Sequence, residues 1–288
     1  MAVVTCQDCG MVYASPVHAD LASGRFYDER GRSFYCAPDK LESDFAPVRF
    51  ARELKVFRRY CPRGTVLDVG CSTGAFLHQL RELGGYDVAG TDVTGDALDH
   101  AASRGIRVIR KSLLDPEFPS GPYDAVTFWA VLEHLVDPLA HVRRAADLLR
   151  PGGHLLVLVP NVASLAVRLC GARYRYVMPD HVNYFSARTL TALAARERRL
   201  QGRWLGFTHF NPVVIWQDWR GGLERVPDAE RARLLRRTTA WKQRRGLGPM
   251  RWVYRASEAL LARFGLADNV VLVLERANSG VAKGAGSN

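Results

Sequence analysis

The sequence has no apolar run that approaches the roughly 18 residues of a membrane-spanning helix, and its longest buried-looking run covers only residues 155–159. Its first residues, MAVVTCQDCG, lack the basic start and the apolar stretch of a signal peptide, so we expect a cytoplasmic protein. Cysteine is scarce, with six in 288 residues, and only Cys6 and Cys9 are closely spaced, which excludes a disulfide scaffold. These absences leave a globular protein, in which 48% of the residues are hydrophobic and 24% are charged.

The net charge of +11 is unevenly distributed along the chain. Residues 1–187 carry 21 basic and 21 acidic side chains, whereas residues 188–276 carry 18 basic and 8 acidic ones. Such an excess suits an anionic partner, either a nucleic acid, a membrane surface or an acidic substrate, and it equally suits a solvated surface. Because no RNA-recognition motif accompanies the arginines, we do not expect a nucleic-acid partner.

Strand-like and helix-like segments alternate through the middle of the chain. Short β-prone runs are found at 65–69, 87–91, 107–110, 124–129 and 154–159. The helical segments between them end at glycine or at the Pro-Gly-Gly of residues 151–153. This order predicts an α/β fold with a doubly wound, Rossmann-like, mostly parallel sheet, whose strand ends form a ligand-binding edge. The last run, 269–275, is expected to pair in antiparallel orientation beside the run 203–210.

We predict four segments from the composition and the periodicity. They are an N-terminal arm (1–45), the α/β domain (46–215 with 267–277), a basic helical insertion (216–266) and a disordered tail rich in Gly, Ser and Ala (278–288).

One helix of the insertion is amphipathic. Its apolar face holds Val253, Ala256, Leu260 and Phe264, and its other face holds Arg251, Arg255 and Glu258. Such a helix packs on the domain, or it lies on a membrane surface or over the substrate. The basic insertion therefore allows a peripheral membrane contact.

The segment VLDVGCSTG, residues 66–74, lies between the first strand and the first helix of the α/β pattern. Gly70 allows a tight turn there, and Gly74 allows close approach of the backbone to a ligand. The middle glycine of a dinucleotide motif is missing and Asp68 would repel a diphosphate, which disfavours a nicotinamide oxidoreductase. An acid here suits a ligand with a cationic head, and Asp92 lies 24 residues on, where a carboxylate commonly holds a ribose.

At these residues the chain resembles the class I S-adenosylmethionine-dependent methyltransferases. Four blocks carry the resemblance, in order and at the spacing of that family: VLDVGCSTGAFL, GTDVT, YDAVTFWAVLEHLVDP and LLRPGGHLLVLVPN. The resemblance implies S-adenosylmethionine as cofactor. It places Asp68, Gly70 and Gly74 around the methionine part of the cofactor, and Asp92 at the ribose. It places Leu113 and Leu114 against the adenine, and Trp129 and Ala130 beside the sulfonium. Cys71 and Val93 complete this cofactor-binding set, while ordinary core packing remains the alternative for the two leucines and Trp129.

Methyl transfer to a hydroxyl or a carbon needs a base, and three residues beyond strand ends are candidates: His181, His134 and Glu133. We favour His181; local structural roles remain the alternative for all three. The VLEHL block resembles the ubiquinone-type O-methyltransferases, in which an E-x-x-E-H pattern is associated with a divalent metal. Ala130 replaces the first acid of that pattern, so we predict no metal.

These residues together predict methyl transfer to a small-molecule acceptor, most simply to a hydroxyl oxygen. C- or N-methylation of a sugar, lipid or polyketide is the alternative, and so is a nucleic-acid-binding protein with a retained cofactor site. The residues expected to wall the acceptor pocket are Tyr174, Tyr176, His181, Tyr184 and Trp216.

The Cys6-Gln7-Asp8-Cys9-Gly10 motif resembles the second half of a zinc ribbon. A structural zinc needs four ligands, and the first pair of cysteines is absent, while the spacing of Cys36 is unsuitable. The motif therefore predicts a degenerate ribbon, with a site shared with His18 or another chain as the alternative. The aromatic segment at residues 26–28 is expected to fold over the cofactor, as the matching segment does in relatives.

Overall fold

The structure is a computed structural model, and it describes residues 2–178, 180–220, 228–243 and 248–278. Within these ranges, no helix combines the length and the apolar character that crossing a membrane would require.

The N-terminal arm begins with a β-hairpin and continues as short helices. Its elements are β1 (Ala2–Thr5), β2 (Val12–Ser15), α1 (Ala19–Ala22), α2 (Arg25–Asp28), a π-helical turn (Gly31–Tyr35) and α3 (Pro38–Asp44). At the tip of the hairpin, the Cys6 N–H donates to the Met11 carbonyl at 2.8 Å and the Gly10 N–H donates to the Cys6 carbonyl at 2.9 Å. Among the described residues, no group of three metal-ligating side chains includes Cys6 or Cys9. In the described part of the chain, Cys36 and His18 are not grouped with these two cysteines either.

The central element of the fold is a seven-stranded sheet. The strands that follow the arm are β3 (Gly64–Val69), β4 (Tyr86–Thr91), β5 (Arg107–Ile109), β6 (Tyr123–Trp129), β7 (Leu149–Pro160), β8 (Asn183–Tyr184), β9 (Leu200–Thr208) and β10 (Asn269–Arg276). Their order in the sheet is β5-β4-β3-β6-β7-β10-β9, and β10 runs antiparallel to both of its neighbours. The predicted α/β fold, with its mostly parallel sheet and antiparallel last strand, is confirmed. The short strand β8 instead pairs with β2 of the arm.

Apolar runs explain why the central strands are buried on both faces. Successive residues of β3 enter different cores: Leu67 packs with Val126 and Phe128, whereas Val66 packs with Leu77 and Leu80. Burial on both faces is typical of parallel strands covered by helices. The sheet is therefore a rigid frame, and its carboxyl edge carries the candidate site.

The helices are α4 (Ala51–Tyr60), α5 (Ala75–Leu83), α6 (Gly95–Ser103), α7 (Pro138–Leu148), α8 (Leu165–Cys170), α9 (Ala187–Ala194), α10 (Pro212–Arg220), α11 (Asp228–Gln243) and α12 (Gly248–Arg263). Sequence signals mark several of their starts. Asp137 caps α7 by accepting from the Ala140 N–H at 2.9 Å, and Ser186 caps α9 together with Thr189 in a capping box.

The insertion packs on the arm. The Ser43 hydroxyl of α3 lies 2.8 Å from the Thr239 hydroxyl of α11, and Arg30 Nε donates to Asp228 at 3.0 Å. Helix α10 begins four residues before the predicted start of the insertion and packs on α8 through Ile215. Most of the predicted tail, residues 279–288, lies outside the described residues.

Candidate active site

The turn after β3 requires glycine for two different reasons. Gly70 has φ +74°, and a Cβ there would collide with the side chain of Val131. Gly74 has φ +76°, and a Cβ there would lie 3.0 Å from Ala101 Cβ of α6. Gly74 thus approaches a neighbouring helix closely, and its predicted close approach to a ligand stays a prediction.

Asp92, at the end of β4, holds this turn in place. Its Oδ2 accepts from the Ser72 N–H at 2.8 Å and its Oδ1 accepts from the Thr94 N–H at 2.9 Å. Burial raises the pKa of Asp92 despite these hydrogen bonds. The carboxylate therefore joins the glycine turn to the start of α6, at the position where the resemblance places the ribose.

Asp68 is buried at the end of β3, with 3% of its surface exposed. The parallel register of β3 and β6 places Thr127 opposite it, and the Thr127 hydroxyl donates to Asp68 Oδ1 at 2.6 Å. Burial raises the pKa of Asp68 to about 7, because the charged form loses its hydration. Sequence reasoning missed Thr127, although a polar residue inside the apolar strand β6 is the signal that marks it.

The other cofactor residues predicted from the sequence occupy varied positions. Leu113 is buried in the core, whereas Leu114 exposes 40% of its surface. Val93 is exposed next to Gly24 of the arm. The Cys71 thiol packs in the core toward Gly90, and burial raises its pKa well above the usual value, so its side chain has a packing role.

Trp129 and Ala130 lie at the carboxyl end of β6. The Trp129 ring packs edge-on against Phe76, and its indole nitrogen is buried without a hydrogen-bond partner among the described residues. Ala130 has φ +58°, an uncommon conformation for a residue with a side chain. A backbone forced into this conformation at a strand end is typical of a functional site.

Glu133, His134 and His181 converge beyond β6, and we call them the acid–histidine cluster. Glu133 and His134 lie in a 3-10 turn (Leu132–His134), while His181 comes from the loop before β8. One ligand atom from each lies within 4.8 Å of the others. The Val182 N–H donates to the Glu133 carbonyl at 2.8 Å, which holds the two segments together.

The cluster is buried, and burial determines its protonation. It raises the pKa of Glu133 to about 8, so this carboxyl is mostly neutral at pH 7. Burial also lowers the pKa of His181 well below its usual value, and the nearby charges of His134 and Arg231 add to this effect. Glu133 Oε2 and His181 Nδ1 have no hydrogen-bond partner among the described residues. Two buried polar atoms are thus available to a ligand.

His134 is held from its other side. Its Nδ1 lies 2.8 Å from the Asp180 carbonyl oxygen and 2.9 Å from the Tyr27 hydroxyl, which itself donates to the same carbonyl at 3.0 Å. A proton on Nδ1, donated to that carbonyl, leaves Nε2 as the free lone pair of a neutral ring. Sequence reasoning missed Asp180 as a partner of this histidine, because the contact joins distant segments.

The arm packs over the edge of the sheet where the sequence places the cofactor, and the prediction that residues 26–28 cover the bound cofactor stays a prediction. Tyr27 reaches His134, and the neighbouring Asp28 accepts from the Gly95 N–H at 2.9 Å at the start of α6. Arg231 of α11 approaches from the insertion, with its guanidinium over the Phe34 ring at 5.2 Å. Arm and insertion therefore close the same side of the site.

The cluster is also the group of described residues that could hold a metal. Its donors are two imidazole nitrogens and one carboxylate oxygen, which suit a transition metal, whereas Mg²⁺ prefers a shell of oxygens. The prediction that no metal binds considered Glu133 and His134, and the structure adds His181. That the enzyme transfers methyl groups without a bound metal therefore stays a prediction.

A small cavity lies beside His181. The side chains that line it with this histidine include Asn161, Val167, Tyr176, Asn183 and Tyr184. Tyr176 and Tyr184, two of the predicted wall residues of the acceptor pocket, both line this cavity. The other two predicted wall residues do not line this cavity, because Tyr174 is buried between α8 and α10 and Trp216 is mostly exposed.

Comparison with known proteins identifies the family. A family model described as a methyltransferase domain matches residues 44–197, just over half of the chain. A ubiquinone biosynthesis O-methyltransferase from Marinobacter nauticus is 36% identical over 120 residues, which are 38% of this chain and 50% of that protein. One from Serratia proteamaculans is 29% identical over 198 residues, 60% of this chain and 79% of that protein. The chain thus spans half the length of the first relative and about four fifths of the second.

Solved structures share the fold at low sequence identity. A SAM-dependent methyltransferase from Thermotoga maritima matches with a TM-score of 0.53 and 18% identity, over 88% of this chain and 97% of that one. The N-methyltransferase NodS from Bradyrhizobium japonicum, solved with S-adenosylhomocysteine, matches with a TM-score of 0.53 and 14% identity, over 87% and 98%. The matched domain, the sheet order and the acid-bearing glycine turn all agree. The chain therefore belongs to the methyltransferase-domain family and is an S-adenosylmethionine-dependent methyltransferase.

Proposed function

We propose that the enzyme methylates a hydroxyl oxygen of a small-molecule acceptor bound beside His181. The observation that carries this proposal is the convergence of Glu133, His134 and His181 at the carboxyl end of β6. The names of the curated relatives, which are O-methyltransferases, support the choice of oxygen.

The cofactor site that we propose uses both buried acids. Asp68 would face the ammonium of the methionine part, and Asp92 would hold the ribose hydroxyls at the end of β4. The buried indole nitrogen of Trp129, which has no partner among the described residues, is free to donate to a ligand. When bound, S-adenosylmethionine supplies an electrophilic methyl group, so the protein must align the acceptor and receive its proton.

His181 is the base in this proposal. Its lowered pKa keeps the ring neutral at pH 7, and Nδ1 is buried without a partner among the described residues, so it can accept the proton of the acceptor hydroxyl. The rings of His134 and His181 stand edge to face, with centroids 4.7 Å apart. His134 is held by Tyr27 and Asp180, and through this contact it orients His181.

The wall of the cavity beside His181 carries both polar and apolar groups that an acceptor could contact. Asn161, Asn183 and the two tyrosines offer polar groups at its wall, and Val167 offers an apolar surface. The cavity has room for about one water molecule, so a hydroxylated ring must displace some of these side chains to present its oxygen to His181.

The proposal is tested by product analysis with a panel of acceptors. The protein is incubated with S-adenosylmethionine and small phenols, sugars, hydroxylated lipids and amines, and methylated products are located by mass spectrometry. We expect O-methylated products, and H181A should lower kcat by about a hundredfold or more, as loss of a general base does. S-adenosylhomocysteine affinity should stay within twofold, which shows that the variant folds.

Two results would contradict the proposal: methylation at nitrogen or carbon alone, or full turnover by H181A on the true acceptor. The pH profile gives a further check. Because the pKa of His181 is lowered, the acidic decline of kcat should lie below the ordinary histidine value of 6.5.

A further inference from the structure

Helix α12 packs on the domain through polar side chains. Glu258 is buried, forms an ion pair with Arg52 and accepts from the His209 N–H at 2.8 Å. Four residues earlier, the Tyr254 hydroxyl donates to the Phe210 carbonyl. The sequence predicted Glu258 on the face opposite the apolar one, and the structure buries this residue, whereas Arg255 of the same predicted face is exposed.

The apolar stripe of α12 consequently faces solvent. Trp252, Leu260 and Phe264 expose 71, 58 and 67% of their surfaces, and Ala256 between them is exposed as well. An amphipathic helix of a soluble domain normally buries such a stripe. The helix thus packs on the domain, which is one of the alternatives from the sequence, but it does so without burying Ala256, Leu260 and Phe264. The side chain of Val253 lies outside the described residues.

Two neighbouring helices also expose large apolar side chains. Leu169 of α8 and Trp216 and Trp219 of α10 expose 57, 55 and 59% of their surfaces. Helix α8 adjoins the end of α12 through the Leu165 N–H, which donates to the Leu266 carbonyl at 2.9 Å. The described part of the chain exposes no other tryptophan or phenylalanine to this extent.

The charges around these side chains are of one sign. The exposed charged residues on α8, α10, α12 and the turn after α8 are all arginines: Arg168, Arg173, Arg220, Arg255 and Arg263. The two acids on these helices, Asp218 and Glu258, are buried in ion pairs with Arg175 and Arg52. Within the described part of these helices, an approaching surface meets positive charge alone.

We propose that α8, α10 and α12 form a docking face for a membrane that contains anionic lipids. The docking face consists of Leu169, Trp216, Trp219, Trp252, Leu260 and Phe264 with the five exposed arginines. Tryptophan, phenylalanine and leucine beside arginine are the combination with which helices lie in the interface of anionic membranes. This inference goes beyond the proposed function, because it concerns where the enzyme works.

A lipid surface fits this face better than a second copy of the chain does. A symmetric dimer would place the arginines of one copy against those of the other, with no exposed acid on the described helices to compensate. Anionic headgroups instead pair with the arginines while the apolar side chains enter the acyl boundary. The phosphates of a nucleic acid would pair with the arginines, but a nucleic acid would not bury the exposed side chain of Leu260.

The test is sedimentation of the full chain with vesicles. We expect binding to vesicles of phosphatidylcholine and phosphatidylglycerol, and at least tenfold weaker binding to phosphatidylcholine alone. L260S/F264S should weaken binding to the anionic vesicles about tenfold, because two large apolar side chains no longer leave water. R255Q/R263Q should weaken it about twentyfold at low salt.

L83S is the matched control, because Leu83 is similarly exposed at the end of α5, away from the docking face. It should bind vesicles like the parent, and all variants should keep their affinity for S-adenosylhomocysteine. Three outcomes would overturn the proposal: no binding to anionic vesicles, binding that L260S/F264S leaves unchanged, or a dimer in light scattering that L260S/F264S converts to monomer. Preferential binding of RNA over anionic vesicles would also overturn it.

Discussion

The Tyr27 hydroxyl lies 2.9 Å from His134 Nδ1, although 107 residues separate them in the sequence. The same hydroxyl donates to the Asp180 carbonyl at 3.0 Å, so one side chain of the arm contacts both segments of the acid–histidine cluster. Tyr27 is buried, and its pKa is raised mainly by that burial, so it remains a neutral donor at any working pH. The arm thereby becomes part of the catalytic geometry that we propose.

The first prediction concerns this hydroxyl. Y27F removes it and keeps the ring, and we expect kcat to fall about three- to tenfold, the usual effect of one lost hydrogen bond. The affinity for S-adenosylhomocysteine should change less than twofold. Y13F is the matched control, because Tyr13 lies in the same arm with its ring exposed. An equal loss in both variants would show that the contact with His134 has no special role.

The second prediction links cofactor binding to pH. Because the pKa of Asp68 in the free protein is raised to about 7, the carboxylate that suits a cationic ligand is only half populated at that pH. The affinity for S-adenosylhomocysteine should therefore rise about tenfold from pH 6 to pH 8, because the fraction of the protein with an ionised Asp68 grows. Calorimetry in buffers of different ionisation enthalpy should also detect proton release.

D68N should weaken binding and abolish this pH dependence. D268N is the control, because Asp268 is another buried acid whose pKa burial raises to about 7, but it lies at the start of β10 and bonds Tyr174. If affinity in the parent does not vary between pH 6 and pH 8, Asp68 does not meet the ammonium.

The third prediction concerns metal. With one carboxylate oxygen against two nitrogens, the acid–histidine cluster is a poor site for Mg²⁺, and Glu133 is mostly protonated at pH 7. Treatment with EDTA followed by gel filtration should leave kcat within about twofold. Loss of activity that Zn²⁺, Mn²⁺ or Fe²⁺ restores, but Mg²⁺ does not, would instead assign the three side chains as ligands of a transition metal.

Topology explains which parts of the site could be predicted from the sequence. Asp68 and Asp92 each lie at the end of a parallel strand, and such ends converge on one edge, so the strand pattern was enough to predict that both acids lie at this edge. The Thr127 partner of Asp68 required the register between β3 and β6, which no local pattern encodes. The contact of Tyr27 with His134 depended on the path of the arm, and the arm is positioned by α11 of the insertion.

The orientation of α12 could not be predicted from the sequence for a different reason. Periodicity located its apolar and polar faces, but it could not tell which face would be buried. Arg52 of α4 and the His209 backbone bind Glu258, and these partners are more than 45 residues away in the sequence. A buried ion pair therefore reversed the orientation that hydrophobicity alone predicts.

The last prediction uses Glu133 as a probe of stability. Its pKa rises from an ordinary value of 4.5 in the unfolded chain to about 8 in the folded protein. Between these values the folded state holds a proton that the unfolded state has lost, so the free energy of unfolding falls as pH rises from 4.5 through 8. Each unit of pKa difference corresponds to about 1.4 kcal/mol.

E133Q mimics the neutral carboxyl and cannot ionise. The melting temperature of E133Q relative to the parent should therefore increase steadily between pH 5 and pH 8.5, by several degrees in total. E197Q is the matched control: hydrogen bonds from Arg199 lower the pKa of Glu197, so this acid is charged in both states throughout that range. The melting temperature of E197Q should differ from that of the parent by the same amount at every pH in this range. A melting-temperature difference for E133Q that does not change with pH would mean that Glu133 is already ionised in the folded protein, and it would then be available as a second base beside His181.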